Sequence, residues 1–418
     1  MNSINSNNSK WFTKKVFIWS LFDFANSSFA TIIVAFVFAV YFKNVVAGNK
    51  PVADFYWSSS INISMIIVAV LSPVLGASAD FYGNKKIYLG FFTMLCIIAT
   101  TLMYFVTAGM IFHAMLLFII SNIGFQAGLG FYDAFIKEIT VEKNYNKVSS
   151  AGYAIGYLGS LAALAAVFLY KDEPRLSFVA CSVLFFIFAL PIFIFIKEKK
   201  VILNDEKRGF LFFIKIGLSR NFNTIRHVQS YSNLRKYLIS YFLFIDGINT
   251  IIFFSAIFAQ TTLNFSIMEL IIFFVIVQTT AFAGSIIFSF VADIKGTKRT
   301  LGFTLICWTI ITVSVFFCYS KILFMVIGCF AGFFLGSSQA LARSFMGKLT
   351  PDNKKTEFFG FFSLFEKTST ILGPFTFGLV SWLTGDQRIA VISIAAFFIS
   401  GYLLLKPVIE PKTDNSVT

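Results

Sequence analysis

Along this chain, apolar runs of about 20 residues alternate with short polar stretches, and that length carries a helix across a bilayer. The pattern predicts twelve spans, near 17–42, 55–77, 87–107, 111–133, 149–170, 176–196, 237–259, 267–291, 300–318, 321–342, 358–382 and 389–407. One long polar segment, at about 197–236, separates the first six from the last six. Inside it, Gly209–Ile214 is apolar but too short to span, and predicts an interfacial helix. The first run contains Asp23 and Asn26 and no small-residue cleavage site follows it, so it reads as a retained span and not a signal peptide.

Composition points the same way. The 418 residues are 57% hydrophobic and 13% charged, against roughly 25% charged in a soluble protein. The predicted class is an all-α integral membrane protein. The net charge of +14 is distributed asymmetrically. With both termini in the cytosol, 27 of the 34 Lys and Arg fall on the cytosolic side. Lys43, Lys50, Lys171, Arg175, Lys321 and Arg388 fall on the other side, and Lys367 lies inside span 11. The positive-inside rule supports that orientation, and a multi-pass protein of the bacterial plasma (inner) membrane is expected. No aromatic-basic module lies outside the spans, which argues against a nucleic-acid partner. The five cysteines read as small packing residues. Neither His113 nor His227 lies beside a nucleophile or in a metal spacing, so neither an enzyme nor a metal site is expected. No G-x-x-x-x-G-K-[ST] occurs; without a nucleotide cofactor, energy would come from a gradient.

The chain repeats itself. Ala79-Asp80-Phe81-Tyr82-Gly83-Asn84-Lys85-Lys86 after span 2 and Ala292-Asp293-Ile294-Lys295-Gly296-Thr297-Lys298-Arg299 after span 8 share the pattern A-D-x-x-G-x-K-[KR] at an offset of 213. Gln126-Ala127 matches Gln339-Ala340 at the same offset. Asp23-Phe24-Ala25-Asn26-Ser27 and Asp246-Gly247-Ile248-Asn249-Thr250 share D-x-x-N-[ST] at an offset of 223. Two pseudo-symmetric six-helix halves are therefore expected, at 1–196 and 237–418, joined by a cytosolic linker at 197–236. Parallel repeats of this kind belong to transporters, with the site at the repeat interface.

Polar groups inside the spans are the candidate chemistry. An ionised side chain at mid-membrane costs roughly 2.5–3.5 kcal/mol on insertion scales. Asp23 and Asn26, like Asp246 and Asn249, share one helix face. Helix rise sets Asp23 at ~10 Å and Asp246 at ~14 Å inside the cytosolic surface, so the copies are expected to meet across the pseudo-two-fold axis. Each aspartate is either a packing lock or a group that binds substrate or a proton. One proton moving through 100 mV supplies about 2.3 kcal/mol, enough for roughly a 50-fold gradient of a neutral solute. Glu366 and Lys367 in span 11 either bridge helices as a pair or, through Lys367, meet a substrate carboxylate. Gly373-Pro374 should break the helix just beyond them. Gln126 and Gln339 either bond other helices or line the path. Asp133 and Arg343 close spans 4 and 10 as boundary charges or a cytosolic gate. Gly152, Gly156 and Gly159 read as close-packing positions.

Twelve spans in two halves, with Gly76, Asp80, Gly83, Lys85 and Lys86 after span 2, resemble the major facilitator superfamily. The resemblance implies that this loop, with its copy Asp293, Gly296, Lys298 and Arg299, helps latch the outward-open state. "FDFANSSFATIIVAFVFAVYF", "SAGYAIGYLGS", "YFLFIDGINTI", "SSQALARSFMGKLTP" and "EFFGFFSLFEKTSTILGPFTFGLV" are similar to one branch of it. That branch includes the fungal autophagy-related vacuolar amino-acid effluxer and bacterial relatives of unassigned substrate. It implies efflux of amino acids, especially neutral and apolar ones. The expected protein is a monomeric secondary transporter that exports a small zwitterionic metabolite with proton coupling. Asp23 and Asp246 would sense protons or bind an ammonium group; Lys367 would meet a carboxylate; Asn26, Asn249, Gln126 and Gln339 would line the path. Transport of a sugar, drug or lipid, or a sensing role without transport, are the alternatives.

Overall fold

The structure is a computed structural model that describes residues 12–82, 84–140, 145–198, 231–350 and 365–410, together with Phe212 and Phe362. Gly83 and the proposed interfacial helix, apart from Phe212, lie outside the described residues.

Among the described residues, eleven helices are long and apolar enough to cross a membrane. Span 2 is Val52–Tyr82, span 3 Lys85–Leu102, span 4 Ile111–Ala134, span 5 Tyr145–Leu169 and span 6 Pro174–Phe195. Span 7 is Ser232–Leu263, span 8 Ile267–Lys295, span 9 Thr297–Phe316, span 10 Lys321–Leu349 and span 12 Gln387–Leu405. Span 11 is broken. Residues 365–369 are helical, 370–371 turn, and a second helix runs over Leu372–Thr384. This is the break expected from Gly373-Pro374.

Span 1 departs from the expected uniform helix. It runs from Lys14 to Val46, with π-helical turns at Ala30–Ala35 and Phe42–Val46 and an irregular Phe36 between them. The β-branched run Thr31-Ile32-Ile33-Val34 crowds the preceding turn, and a π-bulge relieves such crowding locally. Several helices also outrun their apolar stretches. Asp80 and Asp293 lie within the helices of spans 2 and 8, not in loops. Hydropathy marks the thickness of the hydrocarbon, whereas a helix continues until it meets a stop. Ser266 and Glu269 form a reciprocal capping box at the start of span 8, and Gly385 takes φ +70 after span 11.

The same pairs of helices pack in both sets of six. Spans 1 and 5, 1 and 6, 2 and 4, 3 and 4, and 3 and 6 touch, as do 7 and 11, 7 and 12, 8 and 10, 9 and 10, and 9 and 12. The two sets meet chiefly where span 2 packs on span 11 and span 5 on span 8. Spans 1 and 7 are buried along most of their length, while Ile66, Val70, Phe91, Ile98, Phe303 and Ile310 turn apolar side chains outward. Many hydroxyls inside the spans bond their own backbone, as Ser28 does to the Ala25 carbonyl (2.6 Å) and Ser64 to that of Ile61 (2.7 Å). Below, the proximal end of the bundle is the one at which span 1 begins and span 12 finishes; the distal end is opposite.

Candidate functional site

On span 1, Asp23 is half-buried and its Oδ2 accepts the hydroxyl proton of Tyr132 from span 4 at 2.6 Å. Two rings clamp Tyr132: Trp19 stacks at 4.5 Å and Phe22 at 4.7 Å between centroids. The Trp19 indole N–H donates to the Tyr132 carbonyl at 3.1 Å. Gly152 and Gly156 of span 5 press against Asp23, and Gly159 against the Phe24 backbone. These glycines therefore do pack closely, as their spacing predicts. Asn26 is buried with its Oδ1 unbonded.

The second copy of the motif is built differently. Asp246 is fully buried, and its Oδ2 accepts the Gly373 N–H at 2.8 Å. Asn249 Nδ2 donates to Thr370 Oγ1 at 3.1 Å, and Thr250 Oγ1 to the Asp246 carbonyl at 2.7 Å. Gly373 and Thr370 both lie at the break in span 11. The expectation that the two aspartates meet across the axis is thus corrected: each turns into its own set of six helices and takes a different partner. The cause lies in the neighbours. The position in span 10 that corresponds to Tyr132 is Phe345, which has no hydroxyl.

Between the two sets, opposite charges converge. Lys367 Nζ donates to the Gln126 carbonyl of span 4 at 3.1 Å, and approaches Gly130 as well. The field of Lys367 acts on Asp133 and on Glu366, and that of Arg343 acts on both of those carboxylates and on Asp23. The Arg343 guanidinium lies over the Tyr153 ring, 4.6 Å from its centroid, and donates to its hydroxyl. Tyr241 lies near Glu366. Asp133 and Arg343 thus join the same cluster as Glu366 and Lys367 and are not separate from it. Gln126 enters through its backbone, its side chain being half-buried; Gln339 is half-buried one turn before Arg343. Sequence reasoning missed Tyr153 and Tyr241. Their signal was faint, a tyrosine beside the glycine repeat and one in a Phe-rich run.

At the proximal end the repeated loops are tied by a device unread in the sequence. The backbone amides of Lys85 and Lys86 donate to the Glu198 carboxylate at 2.6 and 3.2 Å, and Lys86 Nζ donates to the Ile196 carbonyl at 2.8 Å. In the second set, the amides of Thr297 and Lys298 donate to Glu410 at 2.9 Å each, and Lys298 Nζ to the Lys406 carbonyl at 2.7 Å. A glutamate just past the sixth helix of each set thus caps the third, where the helix dipole favours an anion. Burial raises the pKa of Glu410, but those amides and Lys348 Nζ at 3.1 Å outweigh it and hold the group below the usual glutamate range. Gly296 takes φ +89 to make this turn. Gly76, grouped above with the loop after span 2, is a correction: it lies inside the helix of span 2 with open space beside it. Asp293 and Arg299 are exposed.

At the distal end lies a second feature the sequence reading left in a loop. Lys43 and Asp54 form an ion pair of 2.7 Å with 4% and 0% side-chain exposure. Asp54 Oδ2 also accepts Gln387 Nε2 at 2.8 Å and the Ser381 hydroxyl, both from the second set. Asn44 bonds Gln260, the Trp57 indole donates to the Phe253 carbonyl at 3.3 Å, and Phe55 meets Trp382 at 4.9 Å.

Comparison with known proteins agrees with this geometry. The family described as "Vacuole effluxer Atg22 like" matches residues 54–416. The uncharacterized MFS-type transporter YxiO of Bacillus subtilis (strain 168) is 30% identical over 97% of this chain and 97% of its own. Autophagy-related protein 22 of Eremothecium gossypii is 24% identical, over 60% of this chain and 54% of that one. In fold, the chain is similar to the nucleoside transporter NupG, with a TM-score of 0.71, 14% identity and coverage of 96% and 100%. It is also similar to the inward-open xylose transporter XylE from E. coli, with a TM-score of 0.69, 14% identity and coverage of 96% and 97%. These relatives are transporters and not enzymes. On the family match and the full-length bacterial relative, the chain belongs to the Atg22-like vacuole effluxer family and is a multi-pass transporter of the major facilitator type.

Proposed function

We propose that this protein exports a small zwitterionic metabolite, an amino acid in the simplest case, by alternating access and with proton coupling. The carrying observation is the mixed-charge cluster between the two sets of helices. Lys367 and Arg343 come from the second set, and Asp133 and Asp23 from the first, with Glu366 beside the cations. A zwitterion carries one charge of each sign a few ångströms apart, and such a cluster offers both complements at once. Its carboxylate would meet Lys367 and Arg343; its ammonium group would meet Glu366 and Asp133. Asp23, held by Tyr132 at the edge of this cluster, would carry the proton. Export is favoured by the family description, an effluxer.

The proximal end is read as cytosolic because the basic loops gather there. The compartment is then the bacterial plasma membrane, and one chain forms the path. Distal contacts through Lys43, Asp54, Ser381 and Gln387 close the far end of the cluster's route. They would part when the transporter opens outward.

The test is counterflow in proteoliposomes loaded with a mixture of amino acids. Labelled amino acids outside should accumulate transiently with wild type and not with Lys367→Gln. If folded wild type exchanges no amino acid, the zwitterion reading fails and a sugar, drug or lipid substrate replaces it.

A further inference from the structure

At the distal end a cavity of about 110 Å³ lies between the two sets of helices. One water needs about 10–15 Å³ by this measure, so the cavity holds on the order of ten heavy atoms. Its walls are mostly apolar, with Val37, Val40 and Val45 of span 1 and Val167 of span 5 among them. This is the stretch of span 1 with the π-helical turns, where Phe36 leaves helical geometry at φ −131 and ψ −89. Two of the lining residues reach into the second set. Phe36 stacks on Phe274 of span 8 at 5.1 Å between centroids, and Asn44 bonds Gln260 of span 7.

The polar groups of the cavity carry one sign of charge. Ser177, in the first turn of span 6, lines it fully buried, and its hydroxyl has no hydrogen-bond partner among the described residues. A buried hydroxyl left unpaired is costly and uncommon in a folded protein. Lys171, just past span 5, alone among the described lining residues is charged, and it is exposed. Its ammonium group lies 5.9 Å from the centre of the Phe168 ring and forms no ion pair among the described residues. The neighbouring Arg175, by contrast, pairs with Glu173 at 3.5 Å and lies over the Tyr104 ring. Apolar walls with a few placed polar groups and one unpaired cation on the exposed side suit an apolar body with an acidic head.

We propose that this cavity binds a small apolar monoanion, an aliphatic carboxylate of up to about ten heavy atoms, entering from the distal side. Charge selects this class over a zwitterion. No described lining residue is acidic, so an ammonium group would face the apolar walls without a partner. The walls come from both sets, so the cavity is complete only while the distal end is closed. A ligand that binds one state better shifts the population towards it. The anion would therefore hold the distal end shut and slow export. That consequence rests on the transport reading above; the binding does not.

The experiment is saturable binding of labelled hexanoate to the purified full chain in phosphatidylcholine nanodiscs, with the uncharged hexanamide as competitor. Hexanoate should bind several-fold more tightly than hexanamide. Lys171→Gln should weaken hexanoate several-fold and abolish that preference. Val45→Trp, which fills the cavity, should weaken both compounds. Val45 and Lys171 are exposed, so both variants should fold. Lys367→Gln should bind hexanoate as wild type does, which separates this site from the charged cluster. No saturable binding to folded wild type, or binding that Lys171→Gln and Val45→Trp leave unchanged, would overturn the proposal. Loss of hexanoate binding when phosphatidylglycerol is added to the discs would assign Lys171 to a lipid headgroup and overturn the free acid as its ligand. A second readout is the pulsed electron spin distance between labels at Lys50 and Leu383, both exposed at the distal end. Saturating hexanoate should narrow that distribution in wild type and not in Val45→Trp, and an unmoved wild-type distribution would overturn the closing role. Because no transported solute enters, a failed amino-acid reading leaves this result standing, and absent hexanoate binding leaves that reading intact.

Discussion

Tyr132 donates a 2.6 Å hydrogen bond to the Asp23 carboxylate, and among the described residues no tyrosine does this for Asp246, because Phe345 occupies the matching place in span 10. One motif, D-x-x-N-[ST], thus serves two structures. In the first set the aspartate faces a tyrosine at the edge of the charged cluster. In the second it caps a broken helix.

Tyr132→Phe makes the first set resemble the second. The ring remains between Trp19 and Phe22, so the protein should fold. Losing a hydrogen bond to a charged group costs about 1.5–3 kcal/mol. A lower melting temperature in detergent and slower counterflow are expected. Unchanged values for both would mean that the bond to Asp23 does no work in the cycle.

Two glycines should respond in opposite ways to alanine. At Gly373 the new Cβ would collide with Thr250 Oγ1 and lie 2.7 Å from Asp246 Oδ1, so Gly373→Ala should unfold at clearly lower temperature. At Gly76 nothing lies within 4 Å, and alanine is favoured over glycine in a helix by about 1 kcal/mol. Gly76→Ala should be neutral or more stable, despite its membership in the loop motif.

The span count, the repeat and the break in span 11 were all legible, because apolar run length and Pro-Gly chemistry act locally. What the sequence hid were contacts made at long range. Lys43 and Asp54 flank an apparent loop, and only the packing of span 2 against span 11 turns them into a buried cross-set tie. Glu198 and Glu410 sit in polar tails, and their shared role appears only when each meets a helix start more than 100 positions earlier. The different fates of Asp23 and Asp246 depend on Tyr132 and Phe345, which no offset between the aspartates themselves reveals.

Glu410 gives a pH test outside the membrane. Its folded-state pKa lies below the ordinary value of 4.5. Such a group adds stability that is present above its unfolded pKa and is lost as pH falls through the folded one. Glu410→Gln should therefore melt below wild type at neutral pH, and the gap should close as pH drops below about 4.5. A gap independent of pH would assign the effect to shape and not to charge.

At the distal end, Asp54→Asn would leave Lys43 buried without its counter-charge, at a cost of about 3–5 kcal/mol. Replacing both with apolar residues, Lys43→Met with Asp54→Leu, should be much milder. Gln387→Leu keeps the ion pair and removes one tie across the sets. Pulsed electron spin distances between labels at Val45 and Leu383 should then lengthen or broaden, and a distribution identical to wild type would mean that the tie does not hold this end shut.

The most direct measurement is binding of one amino acid to the purified protein against two relatives of it, the amide that lacks the carboxylate and the hydroxy analogue that lacks the ammonium group. A cluster that reads both charges should bind the zwitterion and lose both relatives to a similar degree. Lys367→Gln should narrow the gap between the acid and its amide. Equal binding of all three compounds, or a gap that survives Lys367→Gln unchanged, would contradict a zwitterion site at Lys367, Arg343, Glu366 and Asp133.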